Sequence, residues 1–506
     1  MSATGHDLRS RTITSLFWQF LGVGGQRVVQ LVSPIVLSRV LPLPEIGLFA
    51  IVLAGIGAIE ALTKFMGEET TIWSQRSQDR RYLDTVFTVH VVRGIAITLL
   101  LCAVAPLLAT YFEKPELAER YWLPGLFLTL APNGFIDGLS SPARALQMKG
   151  LAFRRVALGD FLAVLFGTSL TIGLALYWRD VWAMLIGHLG TTAMRTAISY
   201  FVAPYRPRLS FDREIARELF HYGRGAAGAP FLLLMIFTAP AFVLGRLIGD
   251  AAVAVFDFAG RLAKLPEDIF LRVLAPIAIP AYAQLQNDTD QLRRAWLGAV
   301  HAYLLVGVPL TVSMAWCGNA LPAVAFTAQY ANIDGLFSML ALHGGIAGLT
   351  AVVGPLFWAV GRPQWDRQAQ FWRCLTIYGL GVPAALWQGP LGFAVAAVVA
   401  ISVALVLSLL RALPFLRLGF GDLAHAIRDG LLVGSGLGAA LLGLDFVFAP
   451  EGAWRVVSAG LLGGPLLGLI ALRLLRQRPR PQHPAAPPDH APAEFDHDPT
   501  LGEPLR

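Results

Sequence analysis

The centre of one largely apolar stretch, residues 243–286, carries five charged side chains at helical spacing. They follow one another at spacings of four, three, four and four residues: Asp257, Arg261, Lys264, Asp268 and Arg272. On an α-helix these positions fall within an arc of about 80°. A charge at the centre of a bilayer costs about 2.5–3.5 kcal/mol, so five on one face would not lie against lipid. The spacing predicts that this face lines a water-filled cavity or contacts a partner helix.

A structural role is the alternative for the same residues. Asp257 with Arg261, and Lys264 with Asp268, have the spacing of ion pairs within one helix. Such pairs alone would not need Arg272, and this favours the cavity. Pro266 within the run would loosen the helix and free backbone carbonyl groups.

The first half of the chain carries further charges inside apolar segments. Arg27 shares one side of its predicted helix with three glutamines, which indicates a second wet face. Glu60 and Asp160 are flanked by apolar residues, and burial favours the protonated form of a carboxyl group. These two carboxyl groups and Asp257 are therefore candidates for proton or sodium coupling, with structural salt bridges as the alternative. His301 and His343 lie on apolar faces typical of packed core residues.

The cationic candidates have the chemistry to bind a diphosphate. A guanidinium group presents a planar set of donors that phosphate oxygens accept in pairs. The predicted substrate-binding residues, for diphosphate and glycan, are Arg27, Arg261, Lys264 and Arg272. Arginine outnumbers lysine 36 to four in the chain, so its choice at any one site says little by itself.

The composition defines the class of protein. Hydrophobic residues make up 55% of 506 and charged residues only 14%, against about 25% charged in a soluble domain. The chain is therefore predicted to be an all-α polytopic membrane protein. The net charge of +7 is expected in cytoplasmic loops, and no nucleic-acid partner is predicted. The three cysteines offer neither a disulfide framework nor metal-ligand spacing, and no enzyme motif is present. We expect no catalytic residue, no metal and no cofactor.

About twenty apolar residues span a bilayer, and this length predicts fourteen membrane helices. They lie near residues 13–41, 45–65, 85–111, 117–143, 156–177, 181–203, 217–247, 251–281, 292–317, 333–360, 367–387, 390–413, 427–449 and 453–475. With the N-terminus inside, 26 Lys and Arg residues lie at cytoplasmic ends and six at outer ends. Both termini are therefore predicted to be cytoplasmic.

The predicted organisation has four parts. Residues 1–210 form an N-terminal helical bundle of spans one to six, and residues 211–415 a C-terminal bundle of spans seven to twelve. Residues 416–476 form two additional spans. Residues 477–506, with eight prolines and three histidines, are predicted to be a disordered cytoplasmic tail.

The two bundles share a weak internal repeat. At an offset of 207 residues, Val36-Leu37 aligns with Val243-Leu244, Arg39 with Arg246, and Glu60 with Glu267. Matches at one offset indicate two related halves, which many transporters have.

Two motifs resemble those of polysaccharide flippases. The run Leu37-Ser38-Arg39-Val40-Leu41 followed by Pro44 to Phe49 is similar to the opening of these proteins, and Val243 to Gly249 with Ala263 to Pro266 is similar to the start of their second half. Ala254 and Phe256-Asp257 depart from the usual Gly-x-Tyr. The chain resembles O-antigen and exopolysaccharide repeat-unit flippases (Wzx type) of the multidrug/oligosaccharidyl-lipid/polysaccharide exporter superfamily.

The resemblance implies a fold and a substrate. The implied fold has two six-helix bundles around a central cleft, two further C-terminal helices, and alternating access by rocking of the bundles. The implied substrate is an undecaprenyl-diphosphate-linked oligosaccharide, moved across the bacterial inner membrane to its outer leaflet. Membrane lipid, a polysaccharide polymerase and a chain-length regulator are the other expected partners.

Three other functions are alternatives for a membrane protein of this kind. A cation-coupled multidrug exporter of the same superfamily would favour acidic and aromatic residues in its cavity, whereas the central charge here leans basic. A membrane glycan polymerase or ligase would need a long outer loop, and the predicted loops are short. A non-catalytic membrane scaffold would not explain the buried charges.

Overall fold

The fold was obtained as a computed structural model of the 506-residue chain. The structure describes residues 25–26, 28–63, 79–112, 120–142, 144, 146–147, 153–202, 205–226, 228–265, 267–268, 278, 282, 285–286, 288–448 and 452–476. These residues form helices joined by turns, with no β-strand among them. The predicted all-α class is confirmed.

The first eleven helices contain the residues around the predicted site. They are α1 (Val28–Val40), α2 (Leu43–Thr63), α3 (Arg80–Tyr111), α4 (Leu123–Leu130), α5 (Pro132–Gly138), α6 (Phe153–Trp178), α7 (Trp182–Val202), α8 (Arg213–Ala226), α9 (Gly228–Phe237), α10 (Ala239–Leu247) and α11 (Asp250–Ala263).

The later helices complete the C-terminal part. They are α12 (Thr289–Cys317), α13 (Ala320–Ala325), a 3-10 turn (Ala328–Ala331), α14 (Leu336–Ala359), the pair α15 and α16 within Pro363–Phe415, α17 (Phe420–Phe448) and α18 (Ala453–Arg476). The pair is interrupted at Gln388 and Gly389, whose backbone angles are not helical. Gly389 has φ of 62°, a conformation that glycine adopts without a steric penalty, and α16 starts after it.

Eight helical segments of the described chain, with Pro363–Phe415 taken as one, are long and apolar enough to cross a membrane, and α1 is a shorter apolar helix. Each of the fourteen predicted spans overlaps at least one described helix. The count of fourteen spans and the limits of the four predicted parts remain predictions.

Two predicted spans are interrupted. The fourth is divided into α4 and α5 at Ala131, just before Pro132. The seventh has a break at Thr238, near Pro240, between α9 and α10. Proline lacks the amide donor that a helix interior needs, so these breaks follow from the sequence.

The repeated segments match in their helix ends. The turn from α1 to α2 lies between Val40 and Leu43, and the turn from α10 to α11 lies 207 positions later, between Leu247 and Asp250. The start of α2 lies directly against the start of α11. A Cβ added to Gly47 would stand 1.7 Å from the Asp250 carbonyl oxygen, so glycine is required for this contact.

Two arginines at equivalent positions of the repeat connect the halves at the same end. The Arg39 guanidinium donates to the Ala325 carbonyl at 3.2 Å, from the first half to the second. Its repeat partner Arg246 lies 5.6 Å from the centre of the Tyr111 ring, from the second half to the first. The halves are therefore in contact at the end where α1 turns into α2.

Helices α6 and α7 cross at two glycine–threonine contacts. A Cβ on Gly167 would lie 1.7 Å from the Thr191 hydroxyl, and one on Gly187 would lie 1.8 Å from the Thr171 hydroxyl. Each threonine also donates to the carbonyl of the glycine four residues before it, at 2.8 Å for Thr171 and 3.0 Å for Thr191. The close crossing holds one wall of the cavity described next.

Candidate functional site

Two adjoining cavities lie between the first and second halves of the chain. Their volumes are about 500 Å³ and about 380 Å³. Helices α1, α2, α6 and α7 line one side, and α9, α11 and the residues after α11 line the other. The second cavity extends to α14, α15 and α16. The residues shared by both linings are Leu53, His188, Phe237, Arg261 and Lys264.

Among its described residues, the N-terminal wall of the larger cavity carries polar groups between apolar ones, and no carboxylate, lysine or arginine. Gln30 and Ser33 of α1 line it, together with Thr168, Thr171, His188 and Thr191 of α6 and α7. Hydroxyl and amide groups both donate and accept hydrogen bonds. Such a wall is suited to a neutral polyhydroxy ligand.

The C-terminal wall carries the charges. The Arg261 guanidinium pairs with the Asp257 carboxylate at 2.8 Å, and both side chains remain partly exposed to the cavity. The Lys264 ammonium lies 5.6 Å from the centre of the Phe237 ring, and no carboxylate of a described residue forms an ion pair with it. The structural pairing considered for Asp257 and Arg261 is thus present, and that for Lys264 with Asp268 is not.

Arg373 on α15 is the most deeply buried cation of the site. It is 5% exposed and lines the smaller cavity, and its guanidinium lies 5.4 Å from the Phe237 ring. One of its NH2 groups donates to His343 at 3.3 Å and the other to Gln370 at 3.4 Å, both long distances. Among the described residues, none accepts from its Nε–H group. The guanidinium therefore has unused capacity to bind an anion.

The contact with Arg373 fixes the state of His343. Arginine can only donate, so the Nε2 atom of His343 accepts and its proton lies on Nδ1. The neighbouring Gly344 allows α14 to approach α11, because a Cβ there would lie 2.2 Å from the Ala263 carbonyl oxygen. Lys264, His343 and Arg373 are brought together by this contact.

Glu267 is the carboxylate of this cluster. It is 9% exposed, lines the larger cavity, and lies where Lys264 and Arg373 attract its charge. Its Oε2 atom has no hydrogen-bond partner within the described chain. Its repeat partner Glu60 lines the smaller cavity, so both repeats place a carboxylate at the site.

The buried charges of the N-terminal half are paired. The Asp160 carboxylate accepts two hydrogen bonds from the Arg144 guanidinium, at 2.8 and 2.9 Å, and lies 3.7 Å from Arg195. Glu60 accepts a 2.7 Å hydrogen bond from the Asn133 amide, whose oxygen accepts one of 2.8 Å from Thr192. These groups join α2, α5, α6 and α7 into one network.

The predicted site residues thus divide into three groups. Arg261, Lys264, Asp257 and Glu60 line the cavities. Asp160 lines neither cavity and forms the salt bridge that was its alternative role. Arg27 and Arg272 lie outside the described residues.

The sequence prediction did not include Arg373 among the site residues. The residue is buried on α15, about three turns after Pro363. The available signal was helical spacing: Gln370, Arg373 and Ile377 share one face, and Ile377 is also buried. Glu267 was detected only as a match in the repeat.

The helical fold and the cavity between its halves define a multi-pass membrane transporter. The chain belongs to the family described as polysaccharide biosynthesis protein, whose model matches residues 36–334. Its relatives include the lipopolysaccharide biosynthesis protein WzxC of Escherichia coli (strain K12), 23% identical over 70% of this chain and 71% of WzxC. Another is the succinoglycan biosynthesis transport protein ExoT of Rhizobium meliloti (strain 1021), 22% identical over 70% of this chain and 71% of ExoT.

Solved structures share the fold at low sequence identity. The lipid II flippase MurJ in an inward closed conformation is similar, with a TM-score of 0.72 and 13% identity over 90% of this chain and 98% of MurJ. An inward-facing multidrug resistance MATE family transporter has a TM-score of 0.62 and 18% identity over 78% of this chain and 94% of its own. The predicted family and membrane-transporter class are confirmed.

Proposed function

We propose that this protein moves an undecaprenyl-diphosphate-linked oligosaccharide from the cytoplasmic to the outer leaflet of the bacterial inner membrane. The observation that carries the proposal is the division of charge between the cavity walls. The C-terminal wall holds Arg261, Lys264 and Arg373 together with carboxylates, whereas the described residues of the opposite wall of the larger cavity are uncharged and include several hydroxyl groups. A diphosphate attached to a glycan has the matching halves. The relatives described as a lipopolysaccharide biosynthesis protein and a succinoglycan biosynthesis transport protein support the same function.

The cationic wall is the proposed diphosphate site. Lys264 and Arg373 lie on the same aromatic ring, that of Phe237, without a carboxylate within ion-pair distance among the described residues. Charge-assisted hydrogen bonds to phosphate are about twice as strong as neutral ones. Arg261 contributes at the rim, where Asp257 holds its guanidinium. Arg27 and Arg272 remain candidates for the same role.

The hydroxyl-rich wall is the proposed glycan site. Thr168, His188 and Thr191 offer donors and acceptors to sugar hydroxyl groups without attracting the diphosphate. Glu60 and Asp257, at the edge of the smaller cavity, remain candidates for ion coupling. The ion pairs of Asp160 with Arg144 and Arg195 favour a structural role for that carboxylate over ion coupling.

Alternating access follows from the contact between the halves. Gly47 against Asp250, and the crossing contacts of Arg39 and Arg246, close the molecule at the end predicted to face outward. The cavity would then load from the cytoplasmic side and open outward when these contacts separate. With both termini cytoplasmic, a polymerase and a chain-length regulator would receive the substrate on the outer side.

A multidrug exporter is the second candidate, because the MATE fold is similar. The cavity argues against it. An organic cation would meet Lys264 and Arg373, and like charges in a low-dielectric cavity repel.

The test is flipping in proteoliposomes by the purified chain. Two fluorescent lipids share the same glycan and isoprenyl chain, and differ only in having a diphosphate or a neutral linkage. A membrane-impermeant quencher reports the fraction in each leaflet. We expect flipping of the diphosphate lipid, and strong impairment by Arg261→Ala at equal protein level, because Asp257 is then left as an unpaired anion beside the diphosphate.

The matched control is the double variant Arg261→Gln with Asp257→Asn, which removes both charges of that pair and is expected to retain more activity. Equal flipping of the neutral lipid would contradict diphosphate recognition. Transport of an organic cation, with no flipping of either lipid, would favour the exporter.

A further inference from the structure

The segment between the two halves, residues 205–212, is attached along helix α3. The amide groups of Arg208, Ser210 and Asp212 donate to side chains of α3 at 2.9, 2.9 and 3.2 Å. The acceptors on α3 are Asp84, Thr88 and Thr85, respectively. We call residues 205–212 the strap.

The strap is extended, and this determines which side chains point away from α3. Every second amide faces α3, as expected for an extended chain with a period of two residues. Leu209 and Phe211 alternate with the bonded residues and therefore share one side. They are 72% and 65% exposed, which is unusual for two neighbouring large apolar side chains outside a membrane span.

Four exposed arginines flank this apolar pair along the chain, in the strap and in the first turns of α8: Arg206, Arg208, Arg213 and Arg217. Asp212 begins α8 by accepting from the amide groups of Glu214 and Ile215, so the helix is fixed to the end of the strap. The apolar side of α8, with Ile215 and Leu219, is already buried against the start of α3. Its basic side is left outward.

The position along α3 sets the depth of the strap in the membrane. Helix α3 has 32 residues and is about 48 Å long, against about 30 Å for the hydrocarbon core. Its contacts with the strap, Asp84 to Thr88, lie within about 12 Å of its start. The strap is therefore at the level of the lipid headgroups.

We infer that the strap is a binding surface for anionic phospholipid. Leu209 and Phe211 insert among the upper acyl carbons, and the four arginines bind phosphate groups of the same leaflet. Apolar anchoring and basic residues together are the combination that holds peripheral segments on anionic membranes. The bonds to α3 hold the strap in this orientation, so lipid binding fixes the N-terminal half at the interface. This inference does not depend on the proposed substrate.

The test uses the full-length chain in nanodiscs of two compositions, phosphatidylcholine alone and phosphatidylcholine with phosphatidylglycerol. A spin label is attached at Leu209→Cys, in a background where Cys102, Cys317 and Cys374 are replaced by alanine. Its collisions with oxygen, which partitions into lipid, and with a water-soluble nickel complex are compared. We expect oxygen to dominate in the anionic nanodiscs and nickel access to increase in pure phosphatidylcholine.

A charge variant and a matched control complete the design. Replacing the four arginines around the strap by glutamine should make the label in anionic nanodiscs behave as in pure phosphatidylcholine, with the affinity for phosphatidylglycerol reduced at least about tenfold. The control should match the unmodified chain. It carries glutamine in place of four other exposed arginines: Arg294, Arg411, Arg417 and Arg428. A label reached equally by nickel in both compositions would overturn the inference. Equal insertion in both would overturn the recognition of anionic lipid.

Discussion

The two halves of the molecule treat their buried charges differently. In the first half, Asp160 has two arginine partners, and the Glu60 carboxylate takes part in a chain of hydrogen bonds to Asn133 and Thr192. In the second half, Arg373 makes two long hydrogen bonds, and the Glu267 Oε2 atom has no partner within the described chain. Both sets lie in helices that pack around the same cavities.

The difference indicates two roles. A buried carboxylate with arginine partners, such as Asp160, joins helices, and removing it leaves those partners in an unfavourable environment. A buried charge with unused donors destabilises the protein by itself, so its presence points to a ligand that completes its hydrogen bonds. The first half provides the structure of the site, and the second half provides its charge.

The largest expected effect is on the paired side. Asp160→Asn should lower the free energy of unfolding by about 3 kcal/mol, because Arg144 and Arg195 then lack their counter-charge. Thermal unfolding of the purified protein in detergent measures it. The double variant Asp160→Asn with Arg144→Gln should recover part of the loss. An unchanged unfolding temperature with lost transport would instead assign Asp160 to the transport step.

Lys264 tests the unpaired side. Lys264→Gln should weaken binding of an isoprenyl diphosphate about tenfold, because one charge-assisted contact is lost. The unfolding temperature should change little, since the ammonium contacts the Phe237 ring and forms no ion pair within the described residues, and Arg373 still attracts Glu267. Isothermal titration with farnesyl diphosphate provides the affinity, and Lys264→Arg is the matched control that keeps the charge. Wild-type affinity in the glutamine variant would remove Lys264 from the site.

The smallest effect concerns the hydrogen-bond network of the first half. Thr192→Val should reduce stability by about 1 kcal/mol, because the Asn133 oxygen loses its donor. Binding of farnesyl diphosphate should be unchanged. Thr376→Val is the control, since that hydroxyl bonds only to its own helix at Trp372. A loss of binding with normal stability would show that the two halves are not separable in this way.

The sequence contained enough information for the class and for part of the site. Apolar length located helices, since hydrophobic spans and the bilayer thickness must agree. The spacing of Asp257, Arg261 and Lys264 placed them on one face, and all three line the smaller cavity. Periodicity is a local property, and these three residues lie on one short helix or at its end.

The remaining features depend on contacts between distant segments. Arg373 belongs to the site only because α15 packs beside α14 and α9, and nothing local distinguishes it from an arginine at a loop. The sequence around Asp160 is compatible with a coupling residue, and only the fold shows that Arg144 and Arg195 lie next to it. The strap is held by side chains of α3, which lie more than a hundred residues earlier in the chain.

The central claim is that the incompletely bonded cations of the second half bind the diphosphate, and Arg373→Met tests it most directly. Affinity for farnesyl diphosphate and the unfolding temperature are measured on the same purified protein. We predict that affinity falls about tenfold to a hundredfold. The unfolding temperature should fall less than in Asp160→Asn, because Arg373 forms no ion pair within the described residues and Lys264 still attracts the Glu267 carboxylate. A variant that unfolds at lower temperature and still binds with wild-type affinity would contradict the claim and make Arg373 a structural residue.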